Sequence, residues 1–213
     1  MESLAQSGVP VVALDQVLSM RGSVALTFDD GYRNFADVAL PMIEKLQFTA
    51  TLFVVSGFCG RRNEWPDQPA DAVPSLPLLP WQELAALPSS VELGAHTVTH
   101  RDLRRLSRED SEHELFHCRE EIERRTGRPV RWLAYPYGAS SPEVRLLAGR
   151  QFELAVGTTL AYVSRHSDRF DLPRIDAYYL RRERSLGQIF SGSSATYLGV
   201  RRALRAARKC ASP

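Results

Sequence analysis

A chain of 213 residues, 44% hydrophobic and 24% charged, is long enough to bury one sizeable core and reads as a single globular domain over 1–213. Its 27 basic and 25 acidic residues leave a formal charge of +2, which gives no reason to expect a nucleic-acid partner. Three cysteines, Cys59, Cys118 and Cys210, stand far apart and in no metal-ligand spacing, which argues against a disulfide framework or a zinc knuckle and for reduced thiols.

Met1 to Gly8 carries neither a basic n-region nor an apolar h-region, and no later apolar run reaches bilayer length, so the expected compartment is the cytoplasm. A short apolar run at Val9 to Val12 and a helical turn at Leu14 to Leu18 precede a strand at Val24 to Phe28. From Asn34, a candidate N-cap, apolar residues Phe35, Val38, Ala39, Met42, Ile43 and Leu46 recur at helical spacing, with Pro41 expected to kink or delay the helix. Thr49 to Val55 reads as a buried strand, and 57–80, rich in Pro, Gly and charge, as a long loop. A short helix from Pro80 to Leu87 leads to a strand at Val91 to Ala95.

Ser107 and Gly127 bracket a long helix, the first as N-cap and the second as its stop. Strands at Val130 to Tyr135 and Glu153 to Thr158 flank a Pro136-Tyr137-Gly138 turn and a helix from Pro142 to about Arg150. Alternating strands and helices, with polar residues placed just after strands, predict an α/β fold whose parallel sheet closes, or nearly closes, into a barrel; a doubly wound open sheet is the alternative. The last helix, about 194–209, puts Arg201, Arg202, Arg205, Arg208 and Lys209 on one arc, largely opposite Tyr197, Val200, Ala203, Leu204 and Ala207. Such a helix can pack its apolar side on the barrel, or touch an anionic lipid surface.

Two strand ends carry the chemistry. Asp29 and Asp30 end the Val24 strand, and adjacent buried carboxylates repel each other unless something positive lies between them. Gly31 permits a turn that would let the pair share a centre while doing different jobs. At the end of the Val91 strand, His96 and His100 stand four apart and would share a side if the chain turns helical there. One carboxylate with two imidazoles leaves a coordination position open to water, the catalytic arrangement for zinc and similar ions.

With Thr27-Phe28-Asp29-Asp30-Gly31, His96-Thr97-x-x-His100, Tyr135-Pro136-Tyr137-Gly138 and Leu172-Pro173-Arg174-Ile175-Asp176 in this order, the chain resembles the polysaccharide deacetylases with the NodB homology domain, carbohydrate esterase family four. The resemblance implies a distorted (β/α) barrel of about seven parallel strands and metal-dependent removal of N-acetyl groups from amino sugars. It further implies Asp30, His96 and His100 as ligands of one divalent ion, zinc first, with cobalt or nickel as alternatives. Asp29 would be the general base, Arg174 the arginine that orients it, and Tyr137 the position whose backbone amide helps to hold the oxyanion. Two departures stand out: Ala134 occupies a position where the family commonly has arginine, and no histidine follows His166 to match the family's late Leu-x-His acid. The general acid is therefore unassigned. A cyclic ureide or imide hydrolase of the same fold, and a catalytically silent domain that binds metal and glycan, are the alternative functions.

Trp65, Trp81, Trp132 and Tyr137 could form an aromatic floor for a sugar; Trp65, in the long loop, is the expected sugar contact beside Tyr137, whereas Trp132 sits in a strand and belongs to the core. His113-Glu114-Leu115-Phe116-His117 matches the zincin peptidase pattern. Helical spacing nevertheless puts both histidines opposite Leu115, Cys118 and Ile122, on a solvated face, so the match is read as accidental.

Overall fold

The computed structural model describes residues 1–66, 68, 74–180 and 196–203. Five parallel strands lie in sequence order, β1 (Leu26–Phe28), β2 (Ala50–Val54), β3 (Val91–Ala95), β4 (Trp132–Ala134) and β5 (Leu154–Val156). A parallel bridge extends each side, Val11 to Val24 before β1 and Val156 to Leu172 after β5. This is the barrel-like α/β sheet expected, with the strands unpermuted, and not the doubly wound alternative, whose order reverses at a switch point.

Strand periodicity separates two cores. Ala50, Leu52 and Val54 of β2, Val91, Leu93 and Ala95 of β3, and Leu133 and Ala155 share a buried cluster with the helices. Phe53, Trp132, Ala134, Leu154, Val156 and Leu172 form a second cluster on the opposite face. Gly94 is required between them, because a Cβ there would overlap the Phe53 ring. Arg174, two residues past the Leu172 bridge, donates from Nη1 to Thr27 Oγ1 of β1 at 3.3 Å, so the segment after that bridge reaches the first strand through a side chain.

The helices are α1 (Glu2–Gln6), α2 (Leu40–Lys45), α3 (Trp81–Ala85), α4 (Arg108–Thr126) and α5 (Pro142–Ala148). Ser107 caps α4 by accepting from Asp110 N, and Gly127 ends it in the left-handed conformation at φ 67°, as the sequence indicated. Ser141 caps α5 in the same way, accepting from Val144 N. The Asn34 helix begins differently. Arg33 and Asn34 are already helical, Phe35–Ala39 is a π-helical turn and Asn34 makes no side-chain cap; the regular α-helix resumes at Leu40, with Pro41 in its first turn. Pro41 has no N–H to close an ordinary turn on Asp37 and its ring crowds that carbonyl, so the preceding turn widens.

The long 57–80 segment is tied down where it is described. Antiparallel bridges join Tyr32 to Leu78 and Arg62 to Pro77. Asn63 is fully buried, donating to the Tyr32 hydroxyl (3.1 Å) and the Pro74 carbonyl (3.3 Å) and accepting from Leu76 N (2.6 Å). Of the C-terminal basic helix, 196–203 is helical, and Leu204, Arg205, Ala207, Arg208 and Lys209 lie outside the described residues. Among the described residues of this helix, Leu198 is buried, while Tyr197 and Val200 are exposed. Arg201 instead lays its guanidinium 5.2 Å from the Tyr179 ring centroid.

Candidate metal centre

The strand ends expected to meet do meet. Asp29 leaves β1, and the chain then turns through two successive left-handed residues, Asp30 at φ 72° and Gly31 at φ 75°. The turn therefore starts at Asp30 itself, one residue before the glycine expected to supply it; a short polar side chain tolerates this conformation better than most. Its effect is to divide the two carboxylates: Asp29 faces Arg174, and Asp30 faces the histidines.

His96 and His100 converge without a helix. The chain after β3 bends, with Thr97 at φ 68° and His100 at φ 58°, and Thr97 Oγ1 accepts from His100 N at 3.0 Å. The helical turn expected from the four-residue spacing is replaced by a bend between two left-handed residues. Among the described residues, four of the five left-handed residues other than glycine, Asp30, Thr97, His100 and Tyr137, stand at this centre; the fifth is Gln47. Such backbone costs on the order of 1–3 kcal/mol per residue and persists where surrounding structure enforces it, most often at functional sites.

Asp30 Oδ1 lies 3.2 Å from His96 Nε2 and 3.3 Å from His100 Nε2. The ligand atoms of the three residues all fall within 4.8 Å of one another. His96 donates from Nδ1 to the Ala134 carbonyl at 2.7 Å, which leaves its Nε2 as an acceptor facing the centre. Asp30 Oδ1 is itself a buried acceptor with no hydrogen-bond partner among the described residues. Acceptors aimed at one another are stable only with a proton or cation between them, and one carboxylate with two imidazoles suits a divalent ion. On this test the residues fit a metal.

Arg174 holds Asp29 with both arms of its guanidinium, Nη1 to Oδ1 at 2.7 Å and Nη2 to Oδ2 at 2.8 Å, while its Nε donates to the Gly157 carbonyl at 2.8 Å. Burial alone would raise the Asp29 carboxyl, but the charge and hydrogen bonds of Arg174, with His96 nearby, hold it below the usual carboxylate range. Burial likewise opposes ionisation of Asp30, and the His100 and His96 imidazoles beside it overcome this and hold its carboxyl below the usual carboxylate range. His96 is raised, since Asp30 and Asp29 outweigh burial; His100 is lowered, burial prevailing with help from His96.

Tyr137 sits in the Pro136–Gly138 turn at φ 60°, half-exposed, its ring edge-on to His100 with centroids 4.8 Å apart. Trp65 stacks on the other side of His100, centroids 4.7 Å apart and planes at 28°. At 6% exposure, with Phe58 against its edge, it backs the histidine and presents no free ring face to a sugar. Trp132 is core, as expected. Ala134 places no charge here; its carbonyl orients His96, and among the described residues it is Arg174 that clamps Asp29. His166 is exposed and hydrogen-bonded to Arg165.

His113 and His117 face solvent as expected, but Glu114 between them is buried at 6% exposure and its carboxylate accepts from Val98 N and Thr99 N, both at 2.8 Å, and from the Thr99 hydroxyl. The sequence reading passed over this residue. Its signal was there: Ser111, Glu114, Leu115, Cys118 and Ile122 form one buried stripe, and an acid in such a stripe needs a partner.

A polysaccharide deacetylase family model matches residues 19–155, which include the Asp29-Asp30 turn, both site histidines and Tyr137. A curated Bacillus subtilis protein, YxkH, named for the polysaccharide deacetylases, is 23% identical over 71% of this chain, which spans 50% of that protein's length. Among solved structures, the Streptococcus pyogenes deacetylase PplD in complex with acetate is 22% identical with a TM-score of 0.69, over 82% of this chain and 76% of that one. IcaB from Ammonifex degensii is 22% identical with a TM-score of 0.67, over 88% and 83% of the two chains. At these identities the structural likeness establishes the fold.

Proposed function

Because the chain belongs to the polysaccharide deacetylase family, we propose that it is a metal-dependent hydrolase removing N-acetyl groups from an amino-sugar glycan or glycan precursor. One observation carries the proposal: an arginine-clamped carboxylate, Asp29, stands one residue from the Asp30 of a convergent Asp-His-His set. Asp30, His96 and His100 would hold the ion, zinc suiting the donor set first and cobalt or nickel next. A divalent ion bound there supplies a water whose pKa falls to about 7 and a Lewis acid for the acetyl carbonyl.

The chain's own groups supply the remaining chemistry. Asp29, kept ionised and aimed by Arg174, takes the proton of the attacking water. As negative charge builds on the acetyl oxygen, a backbone N–H at Tyr137, held in a left-handed turn, stabilises it more than it stabilises the ground-state carbonyl. When the C–N bond breaks, the leaving nitrogen needs a proton. With no histidine after His166, the proton gained by Asp29 is the one at hand. Trp65 supports the reaction by backing His100. A lipid-linked glycan would present the same N-acetyl group, and a basic C-terminal helix could meet its anionic membrane surface.

The test is acetate release from short N-acetylglucosamine oligomers by metal-stripped protein reloaded with zinc, cobalt or nickel, beside Asp29→Asn. Release that requires metal and falls about 10²–10⁴-fold in the variant supports the proposal. Metal binding without release from any N-acetylated sugar would contradict it and leave two readings, a small cyclic amide substrate or a silent binding domain.

A further inference from the structure

We propose that Glu114, the central acid of the peptidase-like His113-to-His117 stretch, is a positioning residue for the metal centre that fixes the aim of His100; the inference rests on the metal reading above. The two histidines are secured in unlike ways. His96 is locked by its own Nδ1 hydrogen bond to the Ala134 carbonyl. The Nδ1 atom of His100 is buried with no partner among the described residues. Its ring direction is therefore set by the Trp65 and Tyr137 rings on its flanks and by the backbone from which it projects.

That backbone is strained at both ends of the bend, at Thr97 and at His100. From the sheet side, Ser56 N donates to the Thr97 carbonyl at 3.2 Å and Gly57 N to the Val98 carbonyl at 2.9 Å. Gly57 allows this approach, since a Cβ there would stand 2.6 Å from the Val98 oxygen. From the helix side, Glu114 takes up the two amides left pointing outward, Val98 N and Thr99 N, together with the Thr99 hydroxyl. A carboxylate is the short acceptor able to receive three donors from two consecutive residues, and α4 carries it without distortion, as its residues from Arg108 to Thr126 form one continuous helix. Without Glu114, two half-buried N–H groups lose their acceptor and the left-handed His100 loses a brace that keeps it aimed at Asp30.

The readout is metal affinity of the stripped protein, by competition with a chromophoric chelator, together with the visible absorption of the cobalt-loaded form. Glu114→Ala should weaken zinc and cobalt binding about 10–100-fold, the range for outer-shell partners, and change the cobalt bands. Glu114→Gln should recover affinity to within about 3-fold, because its carbonyl oxygen can accept both amides and its NH₂ can donate to a reoriented Thr99 hydroxyl. Thr99→Val, which removes one hydrogen bond and keeps the side-chain shape, provides the test should the alanine variant not fold; about 3-fold weaker binding is expected. Parental affinity in Glu114→Ala or Thr99→Val, or a glutamine variant as weak as the alanine one, would overturn the inference while leaving the metal centre standing. A parent protein that binds no divalent metal would overturn the metal reading and this inference with it.

Discussion

The chain carries two histidine pairs at the same four-residue spacing, His96 with His100 and His113 with His117, and they have opposite surroundings. The first pair is buried at the end of β3 on a strained bend, with its ring centroids 4.8 Å apart and an orphaned carboxylate oxygen between the two Nε2 atoms. The second is exposed on a regular helix, with centroids 4.2 Å apart and His117 Nδ1 only 3.7 Å from the solvated Glu120. Spacing and ring proximity therefore do not separate a candidate ligand pair from a surface one. Desolvation, a converging acceptor from another strand and a backbone held off its preferred conformation do.

This contrast can be broken first at the acceptor. Asp30→Ala should weaken metal binding by more than the ~100-fold typical of outer-shell losses, with the fold kept, as a chelator competition would report. Next comes the backbone. Gly138→Ala places a Cβ into the Thr158 side chain at φ 64°, so it should lower stability by about 1–3 kcal/mol in denaturant titration and reduce turnover by shifting the Tyr137 amide.

A finer test is the pH profile. In its proposed role Asp29 would act as a base only when ionised, and its folded pKa is depressed, so activity should be retained above that pKa and lost as pH falls through it. Arg174→Gln removes the charge that depresses it while the burial that raises it remains. The acidic limb of kcat/KM should therefore move to higher pH; an unmoved limb would show that Asp29 is not the titrating base.

What the sequence revealed and what it concealed follow from range. The β3 strand, the Ser107 and Gly127 caps and the Pro41 disturbance depend on neighbours in the chain, and all three were legible. The meeting of Asp30 with His96 and His100 was legible because chemistry-bearing residues ended two strands of a parallel sheet. The bend that aims the histidines was not. Thr97 is β-branched and disfavours left-handed backbone, His100 favours it only weakly, and the acid that braces them comes from α4, 14 to 17 residues later. Trp65 misled for the opposite reason: a loop composition suggests exposure, and tertiary packing of 57–66 on His100 removed it.

In the proposed function one histidine pair serves metal and turnover and the other serves neither. Metal content and acetate release measured on the same preparations of His96→Ala/His100→Ala and His113→Ala/His117→Ala test it directly. The first variant should lose both and the second keep both, with its stability changed by no more than about 0.5 kcal/mol. Loss of metal and turnover in the second variant, or their survival in the first, would contradict it.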